Sequence, residues 1–263
     1  MHTASLLGSD ADAAAPRLAD AAEGRVGIVR KATETAADGG KTLSRAATEY
    51  VVDDGWRASG EGLSIRDAID RLAPDHDFAF VLGAPGARLP ALVVGDTDET
   101  VEGPLVDTGG IEGLDAAAAV EAIEATEPYE TLESLVAAVK RSEEATYSGA
   151  IATFTGRVRA KEDEDDERTH YLEFEKYDGV AERRMDAIEA ELEERDGILD
   201  VRLHHRTGRV PDGEDIVFVV VLAGHRREAF RAVEDGIDRL KEEVPLFKKE
   251  VTDEETFWVH QRE

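Results

Sequence analysis

Residues 201–240 read VRLHHRTGRVPDGEDIVFVVVLAGHRREAFRAVEDGIDRL, and three patterns succeed one another in them. Val201 and Leu203 alternate with polar residues, as along a strand with one covered face. The turn-rich GRVPDG (208–213) follows, and then Ile216–Leu222, an unbroken apolar run of strand length. After Gly224-His225-Arg226, Phe230, Val233, Ile237 and Leu240 recur at helical spacing, and Pro245 stops the helix. Two strands joined by a turn-rich stretch predict an antiparallel pair, followed by a helix.

Working outward, the same alternation continues. Leu132, Leu135, Val136 and Val139 mark a helix, and Gly149–Thr155 a strand ending in a Thr-Gly turn. Leu172 and Phe174 alternate with Tyr171, Glu173 and Glu175 in a further strand. Ala181, Met185, Ile188 and Leu192 form a helical stripe ending at Gly197, with Met185 a core residue. The order α-β-β-α-β-β-α over residues 127–263 argues for an α+β domain. Residues 1–107 read as a smaller α/β domain. Gly27–Arg30, Phe78–Leu82 and Leu89–Val94 look like buried parallel strands, with a helix at Ile65, Ala68, Ile69 and Leu72 before Pro74. Residues 108–126, rich in Gly, Ala and Glu, read as a partly helical linker. No internal repeat is visible.

The chain has 263 residues, of which 59 are acidic and 31 basic, so its net charge is −28. Such a surface repels nucleic acid, whose binders need clustered positive charge. It fits either an acidic interaction protein or a protein of a high-salt cytoplasm, where screening makes self-repulsion tolerable. The spread of the acids through helix-like segments favours the second. Only KEDEDDER (161–168) is a dense run, read as a solvated loop. No apolar stretch approaches the ~18 residues a membrane helix needs. The opening MHTASLLGSD lacks the pattern of a signal peptide, so a cytoplasmic protein is expected. The absence of cysteine excludes disulfides, thiolate metal sites and cysteine nucleophiles. Lysine is scarce, eight against 23 arginines, yet three of the eight stand at 241, 248 and 249.

Three segments gather cations at the ends of elements. They are Phe154-Thr155-Gly156-Arg157-Val158-Arg159, Gly224-His225-Arg226, and the stretch from Lys241 through Pro245 and Phe247 to Lys248-Lys249. The strand-to-helix junction at 224–226 offers free backbone N–H groups and a positive dipole end, which suit an anion. Arg159, Arg226 and a lysine beside it would hold a phosphate by charge-assisted hydrogen bonds. Taken singly, each residue has a plainer explanation. Arg157 and Arg159 alternate on a strand and can face solvent, His225 can cap a helix, and Lys241 complements a helix C-terminus.

The ordered set is more specific than its members. TFTGRVR (153–159), LEFEKYDGVAE (172–182), HHRTGRVPDGEDIVFVVVLAGHRREAF (204–230), LKEEVPLFKKE (240–250) and the terminal FWVH (257–260) resemble, in order and spacing, the large catalytic subunit of molybdopterin synthase. The resemblance implies an α/β-hammerhead fold, a homodimer of large subunits, and a heterotetramer with a ubiquitin-like small subunit. The small subunit's C-terminal Gly-Gly thiocarboxylate would carry the sulfur, in keeping with a chain that has no cysteine. The implied substrate is cyclic pyranopterin monophosphate (precursor Z), converted by sulfur transfer to the dithiolene of molybdopterin, with no bound metal or cofactor. Carried over motif by motif, the catalytic residues are Lys241 and Lys248. Arg157, Val158, Arg159, His225, Arg226, Lys249 and Glu250 bind substrate, and Phe154 and Phe247 shape the pocket. In that picture Lys241 acts as acid/base or stabilises charge at the thiocarboxylate carbon. Lys248 assists, or forms a transient acyl link. The acidic insert 161–168 departs from the family pattern. A non-catalytic docking module for the ubiquitin-like partner is the alternative.

The N-terminal half resembles a worn P-loop domain of the MobB type, the adapter of molybdopterin-guanine dinucleotide synthesis. GSDADAAA (8–15) keeps Gly8 but has Ala13, Ala14 and Ala15 where the motif needs Gly, Lys and Ser/Thr. FVLGAPGARLPALVV (80–94) resembles a later stretch of that family, with Leu82 in place of its usual acid. The expectation is a nucleotide fold that has lost its nucleotide, and a regulatory role for this half is disfavoured by the missing lysine.

Overall fold

A computed structural model describes residues 1–31, 48–177, 179–252 and 256–259. The chain divides into two units, Met1–Glu130 and Thr131–Glu263.

The first unit contains β1 (His2–Leu7), α1 (Ala11–Ala21), β2 (Val26–Arg30), β3 (Thr48–Val52), β4 (Trp56–Gly60), α2 (Ile65–Leu72), β5 (Phe78–Leu82), β6 (Ala91–Val94), β7 (Val106–Thr108) and α3 (Ala116–Glu124). Its main sheet is parallel, in the order β2-β5-β1-β6-β7, and β3 and β4 form a separate antiparallel pair. Helices α1 and α3 cover one face through Leu18, Val120 and Ile123, while α2 covers the other with Ile69 against Val29 and Val81. A strand covered on both sides has no polar face, which is why Phe78–Leu82 is buried at every position.

The stretch 108–126, expected to be a linker, belongs to this unit instead. β7 adds to the sheet beside β6, and Ala119, Val120 and Ile123 of α3 are buried in its core. Alanine-rich composition reads as spacer, but here it lets a helix pack closely. The first unit therefore runs to residue 130 rather than 107.

The turn after β1 also departs from a phosphate cradle. Gly8 has φ +99°, and a Cβ there would lie 2.3 Å from the Val94 carbonyl oxygen, so only glycine fits. Helix α1 begins three residues later, at Ala11. Ala14 and Ala15 are thus core residues facing the sheet, 0% and 1% exposed, with no space for a lysine. The Asp10 carboxylate, in the turn itself, accepts a hydrogen bond from the Ile111 N–H at 2.9 Å.

The second unit contains α4 (Leu132–Lys140), β8 (Ala150–Arg157), β9 (Thr169–Lys176), α5 (Val180–Glu193), β10 (Ile198–His205), β11 (Gly208–Pro211), β12 (Asp215–Ala223), α6 (Arg226–Glu243), β13 (Leu246–Thr252) and β14 (Thr256–Val259). It is α+β, as expected, with an antiparallel sheet β10-β12-β8 and a second antiparallel sheet β11-β9-β13-β14. The β12 run is apolar throughout because each face has its own cover. Val217, Val219 and Val221 pack toward α5 and α6 with Ile188, Leu192 and Ile237. Phe218, Val220 and Leu222 pack toward α4 with Leu135 and Val139. Met185 is core. One member of the α6 stripe is not: Phe230 is 65% exposed, at the edge of a face whose other members are buried. Of the terminal motif, 257–259 lie in β14, and His260 is outside the described residues, as is Asp178 of the second motif.

Candidate active site

The second unit holds an open cavity of about 1390 Å³, lined among others by Arg159 at the exit of β8, Lys241 in the last turn of α6 and Lys248 on β13. A contiguous hollow of about 600 Å³ adds Phe154, Thr155, Gly156, Val158 and Gly213, and shares Arg157, Arg159 and Lys241 with the first. The placement follows from connectivity. β8 and α6 both end at the same end of the three-stranded sheet, since Arg157 pairs with Asp215 at the start of β12 and α6 returns antiparallel to β12. Lys241 then lies with its Nζ 6.0 Å from the Phe154 ring centroid, at the outer limit of a cation–π contact.

The rim cations are held by acids. Arg157 Nε lies 3.1 Å from Asp215 Oδ1, and its guanidinium also donates to the Gly213 carbonyl. Arg159 Nη1 donates to Glu162 Oε1 at 3.3 Å. Glu162 opens the acidic insert, an exposed loop in which the Asp163 and Asp166 carboxylates accept backbone N–H bonds from Glu162, Asp163, Asp165 and Asp166. Its Glu162, Asp166 and Glu167 border the cavity. Arg159 is thereby paired with an exchangeable carboxylate at a solvent-facing position.

Strand alternation sorts the β13 residues. Lys248 and Glu250, opposite Phe174 and Leu172, share the cavity face, and Glu250 accepts a hydrogen bond from the Thr169 hydroxyl. Lys249 faces the other way, where its Nζ lies 3.1 Å from Glu173 Oε2. It is not among the residues that line the cavity. Phe247 stands at the rim, its ring edge-on to Tyr177 at 5.3 Å.

Two further groups of expected residues are placed differently from the cavity lysines. Val158, grouped with the arginines, is 2% exposed and packs with Leu172, Phe174 and Val210, and its backbone N–H and C=O are bonded to Glu214 and Gly213. His225 and Arg226 are exposed at the opposite end of α6 from Lys241. Fifteen residues of helix place them roughly 22 Å apart along its axis, so a single chain does not bring them to the cavity. His225 does occupy the N-cap position, without a side-chain cap bond.

The reading of the sequence missed three cavity residues. Lys176, at the end of β9, is only 8% exposed and pairs with Glu182 at 2.6 Å. His205 is buried, with Nδ1 2.8 Å from the Arg206 carbonyl and its ring edge-on to Phe174 at 4.6 Å. A carbonyl can only accept, so Nδ1 carries the proton. Tyr177 forms the rim with Phe247. The scarcity of lysine that drew attention to 241–249 was also a signal for Lys161 and Lys176. Among the described residues, Lys161, Lys176, Lys241 and Lys248 line this one cavity.

Comparison with known proteins supplies the family. Residues 125–243 match the family described as MoaE protein. A probable molybdopterin synthase of Haloferax volcanii is 50% identical over 263 residues, the whole of both chains. The chain belongs to the molybdopterin synthase family. The molybdopterin synthase catalytic subunit of Pyrococcus abyssi is 42% identical over 113 residues, 43% of this chain and 74% of that one. A crystal structure of molybdopterin synthase from Staphylococcus aureus is 33% identical, covering 51% of this chain and 93% of its own, with a TM-score of 0.45. Membership places the chain among the enzymes of molybdenum cofactor biosynthesis, as a catalytic subunit. The full-length similarity to the Haloferax volcanii molybdopterin synthase takes in the N-terminal unit too. No described helix is long and apolar enough to cross a membrane.

Proposed function

We propose that this chain is a sulfurtransferase that moves sulfur from the C-terminal thiocarboxylate of a ubiquitin-like small subunit to cyclic pyranopterin monophosphate, forming the molybdopterin dithiolene. The observation that carries the reading is the convergence of Lys241, Lys248 and Arg159 on one cavity in a chain of net charge −28 that otherwise avoids lysine. A site of this kind holds a phosphate by charge-assisted bonds at Arg159. Lys241 and Lys248 supply positive charge or a proton where negative charge develops on the oxygen and sulfur attached to the thiocarboxyl carbon. The cavity is larger than one fused-ring pyranopterin requires, leaving room for an extended tail.

The test is single-turnover conversion of precursor Z by purified protein with a thiocarboxylated small subunit, at high salt. Product formation supports the enzyme. Folded protein that binds the small subunit and yields nothing would leave a docking module.

The 22 Å separation bears on assembly. If His225 and Arg226 serve the same substrate as Lys241, they come from a second copy, as a homodimer allows. Arg226→Ala and Lys241→Ala, each nearly inactive alone, would then regain up to about one quarter of wild-type activity when subunits are mixed and exchanged, because half of the dimers are mixed and each of these carries one intact site. No recovery in verified mixed dimers would put the pair outside the active site.

For the first unit we propose descent from a nucleotide-binding fold that no longer holds nucleotide. The parallel sheet with β1 at its centre, followed by the Gly8 turn and a helix, supports the descent. The buried Ala14 and Ala15 support the loss.

A further inference from the structure

Lys176 lines the cavity with a side chain only 8% exposed. Packing alone favours an apolar residue there, because burying an ammonium costs free energy that an ion pair rarely more than offsets. Its position is set by register. Lys176 lies opposite Leu246 and Lys248 opposite Phe174, so the two lysines are diagonal neighbours on one face of adjacent strands. Like charges so placed disfavour each other unless an anion lies between or above them. Glu182, in the first turn of α5, supplies the resting counter-charge at 2.6 Å. Burial, the largest single influence, would raise the pKa of that carboxyl. The hydrogen bond and charge of Lys176, together with the backbone N–H groups of Gly179 and Glu182, nevertheless hold it below its ordinary value, so Glu182 is ionised at neutral pH. The second Glu182 oxygen is buried and makes no hydrogen bond.

We propose that Lys176 is a third lysine of the anion-binding site, acting with Lys248 on the phosphate-bearing substrate, with Glu182 as the counter-ion that holds it in place and tempers its charge. The proposal rests on the functional reading above and names a further contact of the same site. It also gives the pair a use that packing does not, since an apolar pair would fill the same volume at lower desolvation cost.

The test reads binding of inorganic phosphate by calorimetry, independently of sulfur transfer, in wild type, Lys176→Met, the double variant Lys176→Met/Glu182→Met, Lys176→Arg and Glu182→Gln. The single Lys176→Met leaves the partly exposed Glu182 carboxylate, one oxygen of which is buried, without its partner and can destabilise the fold, whereas the double variant removes both charges. The expected result is a double variant that melts close to wild type, binds phosphate at least tenfold more weakly and shows a raised KM for precursor Z. Lys176→Arg should stay within about threefold of wild type, and Glu182→Gln should bind phosphate more tightly. A folded double variant that binds phosphate as wild type does would make the pair structural and overturn the proposal. So would Glu182→Gln with unchanged affinity, or wild-type protein that binds no phosphate. Phosphate binding that follows this pattern without sulfur transfer would count against the enzyme reading alone.

Discussion

Lys241→Ala is expected to lower the single-turnover rate of sulfur transfer by 10²–10³-fold or more while leaving the fold intact. That loss corresponds to about 3–4 kcal/mol of transition-state stabilisation, the usual effect of removing one well-placed charged or proton-donating group. The structure separates the catalytic effect from a folding one. Lys241 is exposed in the last turn of α6, and its contacts there are the helix C-terminus and a distant Phe154 ring. Removing it should therefore cost under about 1 kcal/mol of stability. Lys241→Arg keeps the charge but holds its proton far too tightly to act as acid and base near neutrality. An arginine variant as slow as the alanine variant would assign proton transfer to Lys241. Substantial rescue would assign charge stabilisation instead. An alanine variant retaining near wild-type single-turnover rate would remove Lys241 from the chemistry.

Glu189→Gln is expected to stabilise the second unit at alkaline pH. The Glu189 carboxylate accepts a hydrogen bond from Leu203 N–H at 2.6 Å, and Glu193 one from Val201 N–H at 2.8 Å. Since β10 is an edge strand, the two acids cover its outward donors and block pairing with another chain. Burial raises the Glu189 pKa to about 7, against 4.5 for the free group, despite that hydrogen bond and the nearby Arg202. A carboxyl whose folded pKa lies above its unfolded one binds its proton more tightly when folded. Stability is then greatest below about pH 4.5, falls as pH rises through the interval to 7, and carries the whole penalty above it. The penalty is on the order of 3 kcal/mol. Glutamine keeps an acceptor for Leu203 and has no charge to desolvate. The variant should match wild type near pH 4.5 and exceed it at pH 8 by up to about 3 kcal/mol, seen as a Tm several degrees higher. Parallel Tm curves for the two proteins between pH 4.5 and 8 would show that Glu189 is ionised throughout.

Periodicity was a reliable guide wherever a strand or helix buries one face against its own domain. Leu172 and Phe174, the 181–185–188–192 stripe and the doubly covered 216–222 run all fell where their spacing put them. It failed where burial depends on distant partners. β1, HTASLL, has too mixed a composition to announce the central strand of a parallel sheet, yet five of its six residues are buried because helices cover both faces. The alanines of α3 looked like spacer until β7 and the core of the first unit were placed around them. The candidate site divides along the same line. The clustering of scarce lysine and the ordered motifs pointed to Arg159, Lys241 and Lys248, because charge and residue type are properties of the sequence itself. Which of those side chains share a cavity was decided by geometry alone. The alternation of β13 turned Lys249 away from Lys248, the packing of the two sheets buried Val158, and the length of α6 set His225 and Arg226 apart from Lys241. Lys176 joined the site for the same reason in reverse, because strand register and a carboxylate on the next helix, rather than any motif, hold its charge at the cavity wall.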